Sequence, residues 1–279
     1  MLVVVTGSSG RLGKVVVRDL LDHGFDVRPV DQHPATESDG PLTCLADLRN
    51  AADLTQLFKG ADAVCHLGNA PAIRDFPLTD GFTNNVAATH SVFEAAAVAG
   101  VRRIVNASSI QAYGIVTNRA EVKPSPPVYL PIDEDHPLLP RDAYPLSKAM
   151  SEWIAESFVR LRPELSVFSL RFTHITDRVP ADAGRESIGG ALLTAVHPAD
   201  AALAVRLCCS AESRGHVPLN IVMPQATVPW ELQWIRDYYG IDPEIRGQLK
   251  PTDALITGRR AEKLIGFAAH RIPAAPAAQ

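Results

Sequence analysis

An apolar run, Leu2-Val3-Val4-Val5, leads straight into Thr6-Gly7-Ser8-Ser9-Gly10-Arg11-Leu12-Gly13, and a helical pattern continues through Leu21. A short hydrophobic run bounded by turn residues reads as a strand buried on both faces. Strand, glycine loop, helix is the arrangement in which backbone N–H groups and a helix N-terminus meet a pyrophosphate. The spacing is G-x-x-G-x-x-G rather than G-x-G-x-x-G. A glycine loop alone could be a tight turn, but its place after an N-terminal strand favours a cofactor-binding loop in a parallel sheet.

The rest of the pattern agrees. Strands are predicted at Val27–Asp31, Leu42–Leu45, Ala63–Gly68, Val101–Ala107 and Leu165–Phe172, with helices over Asn50–Phe58, Thr83–Ala99 and Tyr144–Leu161. On the last helix Trp153, Ile154, Phe158 and Leu161 supply an apolar stripe. This alternation predicts an α/β fold with a doubly wound parallel sheet. Pro198–Ser210 reads as a helix, Val217–Met223 as a strand, and Trp230–Tyr239 and Asp253–Ile265 as further helices. These are too few for a second full core. The expected organisation is a nucleotide-binding domain over residues 1–172, then a small substrate-covering lobe over 173–279 that returns some elements to the sheet.

Composition removes several function classes. With 279 residues, a formal net charge of -4 and 21% charged residues, the chain offers no electrostatic reason to bind nucleic acid or an anionic membrane. No apolar run reaches membrane-spanning length and no basic, cleavable leader opens the chain, so a cytoplasmic setting is expected. Cys44, Cys65, Cys208 and Cys209 lack metal or disulfide spacing and read as reduced thiols. His66 reads as a packed strand residue, and no metal site is expected. Residues 115–141 read as a loop, with Asp133-Glu134-Asp135 a solvated turn.

Three places carry chemistry. Asp31 ends the second strand, where a carboxylate accepts both adenosine ribose hydroxyls and repels a 2′-phosphate, favouring NAD; Arg11 argues mildly the other way. Ser108 and Ser109 stand at the C-terminal end of the fifth strand, where parallel sheets bind ligands. Tyr144-Pro145-Leu146-Ser147-Lys148 opens a helix, with Pro145 tolerable only in its first turn. Tyr144 and Lys148, four apart, share one face. A free phenol is a poor base at neutral pH, and a nearby ammonium is expected to lower its pKa so that it exchanges a proton with an alcohol.

T-G-x-x-G-x-x-G, Asp31, Asp47-Leu48, Asn85-Val86, Ser109, the segment Pro131–Pro137 and Tyr144-x-x-x-Lys148 together resemble the extended short-chain dehydrogenase/reductase superfamily, the group of NAD-dependent epimerases and dehydratases. The resemblance covers nearly the whole chain and implies a Rossmann sheet, NAD as cofactor and a homodimer joined through the helices Thr83–Ala99 and Tyr144–Leu161. It places Gly7, Gly10, Arg11 and Leu12 on the pyrophosphate, Asp47 and Leu48 on the adenine, and Leu67 and Gly68 along the ribose path. Ser9, Gly13, Asn69, Asn85 and Ala107 complete the implied cofactor set. Tyr144 is implied as the acid–base residue, Lys148 as the group that holds the nicotinamide ribose, and Ser109 as the hydrogen-bond donor to the reacting oxygen. Phe172, Thr173 and His174 fall where the family contacts nicotinamide or substrate.

The same resemblance narrows the reaction. Sugar-nucleotide dehydratases place an Asp and a Glu after the serine; here Ile110 and Gln111 stand there and cannot exchange protons at pH 7. About two dozen residues separate Phe172 from His197, too few for the usual nucleotide-gripping insertion. The chain resembles the compact uronate-dehydrogenase-like branch, although Ile110 and Gln111 depart from its pattern. A small, carbohydrate-like substrate is expected, with Arg178 or Arg185 available to clamp a carboxylate. A sugar-nucleotide epimerase and a non-catalytic NAD sensor are the competing expectations.

Overall fold

The computed structural model describes residues 1–35, 41–70, 78–117, 121–178 and 194–271, with Leu78 described by its backbone alone. In chain order the first half holds β1 (Leu2–Thr6), α1 (Arg11–Asp22), β2 (Asp26–Asp31), β3 (Cys44–Leu45), α2 (Ala51–Phe58), β4 (Ala63–His66), α3 (Leu78–Val98) and β5 (Arg103–Ser109). A 3-10 turn, Ile110–Tyr113, follows. Then come β6 (Tyr129–Leu130), α4 (Ala143–Leu161), β7 (Ser166–Phe172), β8 (His174–Ile175), β9 (Ala195–Val196), α5 (Pro198–Ser210), β10 (Gly215–Ile221), α6 (Leu232–Tyr239), β11 (Glu244–Ile245) and α7 (Arg259–Ile265).

Seven strands pair in parallel in the order β10-β7-β5-β4-β1-β2-β3. Successive residues of a strand point to opposite faces, which explains the unbroken valines of β1. Val3 and Val5 enter the core under α1 and α5, and Val4 enters the core under α2, α3 and α4. All three are fully buried. Strand order reverses at β1, between β2 and β4, so a crevice opens at the carboxyl ends of β1 and β4, where such sheets bind ligands.

A third hydrophobic cluster forms the lobe. Tyr113, Ile115, Leu130 and Ile132 pack there with Val222, Trp230, Ile235, Leu255 and Ile256. Two elements after residue 172, α5 and β10, stand in the main layers instead. No helix among the described residues is long and apolar enough to cross a membrane.

Several expectations are corrected. α3 begins at Leu78, five residues before the predicted start, and the last helix is confined to Arg259–Ile265. The two-residue parallel pairs β6–β11 and β8–β9 were not predicted. Trp153 and Leu161 do not belong to a buried stripe: they are 53% and 71% exposed. The inward face of α4 carries Ser147, Lys148, Ser151, Glu152, Ala155 and Phe158 instead. Glu134 is not solvated. Its carboxylate is buried, accepts the Asn220 N–H at 2.8 Å and lies 3.6 Å from Arg260 Nε. Only its neighbours behave as a surface turn, Asp135 pairing with Arg260 at 2.6 Å.

Candidate active site

The crevice behind β1 is shaped by glycines. Gly7 adopts a left-handed φ of 71°, and a Cβ there would sit 2.5 Å from Gly68 Cα. A Cβ on Gly13 would collide with the Gly7 carbonyl oxygen. The two loops therefore touch backbone to backbone, which leaves the N-terminus of α1 facing the opening. That terminus has no side-chain cap and no acid in its first turn, so its N–H groups and dipole remain available to an anion. Nearby, the buried Ser8 hydroxyl has no partner among the described residues.

The cleft holds about 790 Å³, within the range of small-molecule sites. Gly7, Gly10, Asp31, Asp47, Leu48, Leu67, Gly68 and Asn69 line it, as do His33, Arg49, Asp80, Thr83 and Asn84, which the sequence reading missed. Asp80 was hidden because the first turn of α3 was not recognised. Asp31 accepts the Ser9 N–H on one oxygen and the His33 N–H on the other, both at 3.0 Å. A carboxylate has about four acceptor sites, so room remains for two ribose hydroxyls. Glycine cradle, open helix terminus and acid at the end of β2 fit the adenosine and pyrophosphate of NAD.

Some residues implied as cofactor ligands act at one remove. The Ser9 N–H is taken by Asp31 and its hydroxyl donates to the His33 carbonyl at 2.7 Å, so Ser9 fastens the glycine loop to β2. Leu12 packs on the core, and Arg11 stands exposed beside it. The Asp47 carboxylate is closed by Arg49, with a shortest contact of 2.6 Å, and this hydrogen-bonded guanidinium lowers its pKa. The Asn85 carboxamide is bound at both ends to the Ala70 backbone, at 2.8 and 3.1 Å, and so shapes the loop after β4 rather than facing the cleft.

Beside this crevice, β5 and α4 bring Ser109, Tyr144 and Lys148 together. The Ser109 hydroxyl accepts the Gln111 N–H at 3.1 Å and lies close enough to the Tyr144 phenol to oppose the rise in its pKa. Lys148 Nζ donates to the Ala107 carbonyl at 2.7 Å and stands 5.6 Å from the Tyr144 ring centre. The expected acidic phenol is not what the protein by itself produces. Burial pushes Tyr144 up to about 12, against the opposing Ser109 contact, and pushes Lys148 down to about 8, against the opposing charge of Glu152. A low-dielectric pocket favours the neutral form of both groups. His66 is indeed packed: Nδ1 lies 2.9 Å from Thr6 Oγ1 and Nε2 3.2 Å from Thr89 Oγ1. Burial first, then the Lys148 charge, lowers it to about 3, so it is neutral.

The implied substrate residues divide. Ile110 is buried in the lobe core, because the 3-10 turn directs it inward beside Tyr113. The Thr173 hydroxyl donates to the Thr194 carbonyl at 2.7 Å, which makes it a tie between β7 and the chain before β9. Phe172 ends β7, buried in the core under α5. His174, the first residue of β8, is exposed, and its pKa is lowered by partial desolvation and then by the Arg11 charge. Arg178 is exposed at the end of a turn that Thr176 closes. Arg185 lies outside the described residues.

Residues 3–187 match the model of the NAD dependent epimerase/dehydratase family. The chain is 35% identical over 130 residues to a cinnamoyl-CoA reductase 1 of Oryza sativa subsp. japonica, covering 43% of this chain and 37% of that protein. It is 31% identical over 172 residues to a uronate dehydrogenase of Pseudomonas putida, covering 60% and 59%. Each match spans less than two thirds of the relative's own length. Among solved structures, MoeE5 in complex with UDP-glucuronic acid and NAD superposes with a TM-score of 0.71 at 25% identity, covering 97% of this chain and 94% of that one. Glycine cradle, acid at the end of β2 and family model agree: the chain belongs to the NAD dependent epimerase/dehydratase family.

Proposed function

We propose that the protein is an NAD-dependent oxidoreductase that oxidises a hydroxyl, or reduces a ketone, of a small sugar, sugar acid or polyol at Ser109, Tyr144 and Lys148. The observation that carries this reading is the juxtaposition of Ser109, Tyr144 and a buried Lys148, whose amine stands 5.6 Å from the Tyr144 ring centre, next to a cleft of about 790 Å³. NAD, when bound, would take up hydride in the oxidation, and its reduced form would supply hydride in the reduction. Ser109 orients the reacting oxygen by a hydrogen bond. Tyr144 exchanges the proton at that oxygen: as a neutral phenol it donates to the oxygen of a ketone under reduction, and in the reverse direction its phenolate takes the proton of the alcohol. The short stretch between β7 and α5 supports a small substrate, as does the likeness to a uronate dehydrogenase.

The test incubates the protein with NAD and a panel of uronic acids, aldoses and UDP-sugars while reduced cofactor is followed by absorbance. Reduction with at least one free sugar or sugar acid is the expected result, and no turnover across the panel overturns the reading. The UDP-glucuronic acid named for MoeE5 favours a second reading, a sugar-nucleotide epimerase. That enzyme interconverts UDP-sugars without net cofactor reduction.

A homodimer belongs to the same proposal. Leu146, Trp153 and Leu161 project from the outer face of α4, and Val98 is 68% exposed at the end of α3. These exposed apolar side chains on two neighbouring helices support an interface there. Trp153→Glu is expected to convert a dimer into a monomer in analytical ultracentrifugation; a wild-type protein that sediments as a monomer removes the idea.

A further inference from the structure

Three consecutive residues at the end of β5 hold three successive turns of α4. Ser109 contacts Tyr144, the Ala107 carbonyl accepts Lys148 Nζ, and Ser108 donates to Glu152 at 2.6 Å. Tyr144, Lys148 and Glu152 follow one another at intervals of four along a single helix face. The third rung is closed from the other side by Arg171 on β7, whose register partner is Ser108 itself. Arg171 binds Glu152 with two parallel contacts, at 2.9 and 2.7 Å, the bidentate geometry of a strong pair. The two side chains are only 5% and 3% exposed. Arg171 then reaches the lobe, donating to Tyr113 Oη at 2.8 Å and to the Glu134 carbonyl at 3.1 Å.

We propose that Glu152 and Arg171 are positioning residues for Lys148: the pair holds its turn of α4 against the end of β5 and fixes a carboxylate one turn from its amine. A buried ion pair contributes little net stability, because desolvation offsets most of the attraction. The place of this pair relative to Lys148 gives it another use. The groups facing the Lys148 amine are Glu152 and Tyr144 on its own helix, the neutral His66 on β4 and the Ala107 carbonyl on β5, with Arg171 on β7 behind Glu152. Glu152 is the one anion among them. The role rests on the Ser-Tyr-Lys reading above for its importance to catalysis, but not for its detection.

The test follows the Lys148 amine by NMR of isotope-labelled lysine through a pH titration, with Lys148→Arg to assign the signal. Glu152→Gln paired with Arg171→Met removes both buried charges together and leaves neither unpaired. In that variant the Lys148 midpoint is expected to fall, since the carboxylate that favours the charged amine is gone and the guanidinium lost with it stood behind that carboxylate. Arg171→Lys, which keeps a cation on Glu152, is expected to retain a midpoint near the wild-type value. A folded double variant with an unchanged midpoint overturns the proposal. The titration needs no turnover, so an inactive wild-type protein counts against the catalytic reading alone.

Discussion

Tyr144→Phe is expected to lower kcat about a thousandfold on whichever substrate of the panel turns over, while NAD affinity changes less than about threefold. Positioned acid–base groups contribute about 10²- to 10⁴-fold, and this substitution deletes the proton-carrying oxygen and little else. The ring keeps its shape, α4 keeps its Pro145 first turn, and Lys148 keeps its bond to the Ala107 carbonyl. The oxygen lost is the one that Ser109 contacts. Steady-state kinetics with calorimetric titration of NAD separates the outcomes. A kcat within tenfold of wild type sinks Tyr144 as the proton carrier, and a lost cofactor site assigns the residue to binding instead.

The second large effect concerns the cradle. Gly7→Ala is expected to weaken NAD binding by at least about tenfold and to lower the unfolding free energy by about 2 kcal/mol or more. A left-handed φ costs a residue with a side chain about 1–2 kcal/mol, and Gly7 sits at 71°. The added methyl would also meet Gly68 Cα and N at 2.5 Å. Those are backbone atoms, so relief requires the loops after β1 and β4 to part, and that contact shapes the crevice. Denaturant unfolding and calorimetry measure the two quantities. Near-wild-type values for both would mean that the close approach has no part in ligand binding.

Legibility followed the range of the interactions. β1, the glycine loop and α1 were readable because one short segment carries the apolar run, the turn residues and the helix start. Pro198–Ser210 was read to the residue, since Pro198 stands in the first turn and His197 caps it by accepting the Ala199 N–H. α4 was found, but its inward face was only half read. Of the expected stripe Ile154 and Phe158 pack on the core, whereas Trp153 and Leu161 are exposed and the rest of the buried side carries Ser147, Lys148, Ser151 and Glu152. Glu152 stood four residues beyond Lys148 and could have been read as a third rung; nothing local announced Arg171 as its partner. Glu134 looked solvated because the groups that bury it, Asn220 and Arg260, lie far along the chain. The phenol's acidity failed for a related reason: spacing gives the distance between Tyr144 and Lys148, but not the dielectric they share.

The lobe's hydrophobic cluster has a consequence for how the chain can be divided. Its side chains come from residues 110–138 and again from 222–256, with α4, β7, α5 and β10 lying between in sequence. Neither segment alone encloses an interior, and each is anchored in a strand end or helix of the larger body. This cluster is therefore no portable module: it can be neither excised nor grafted as one stretch of gene, and variation in it must arise from within the frame that carries it.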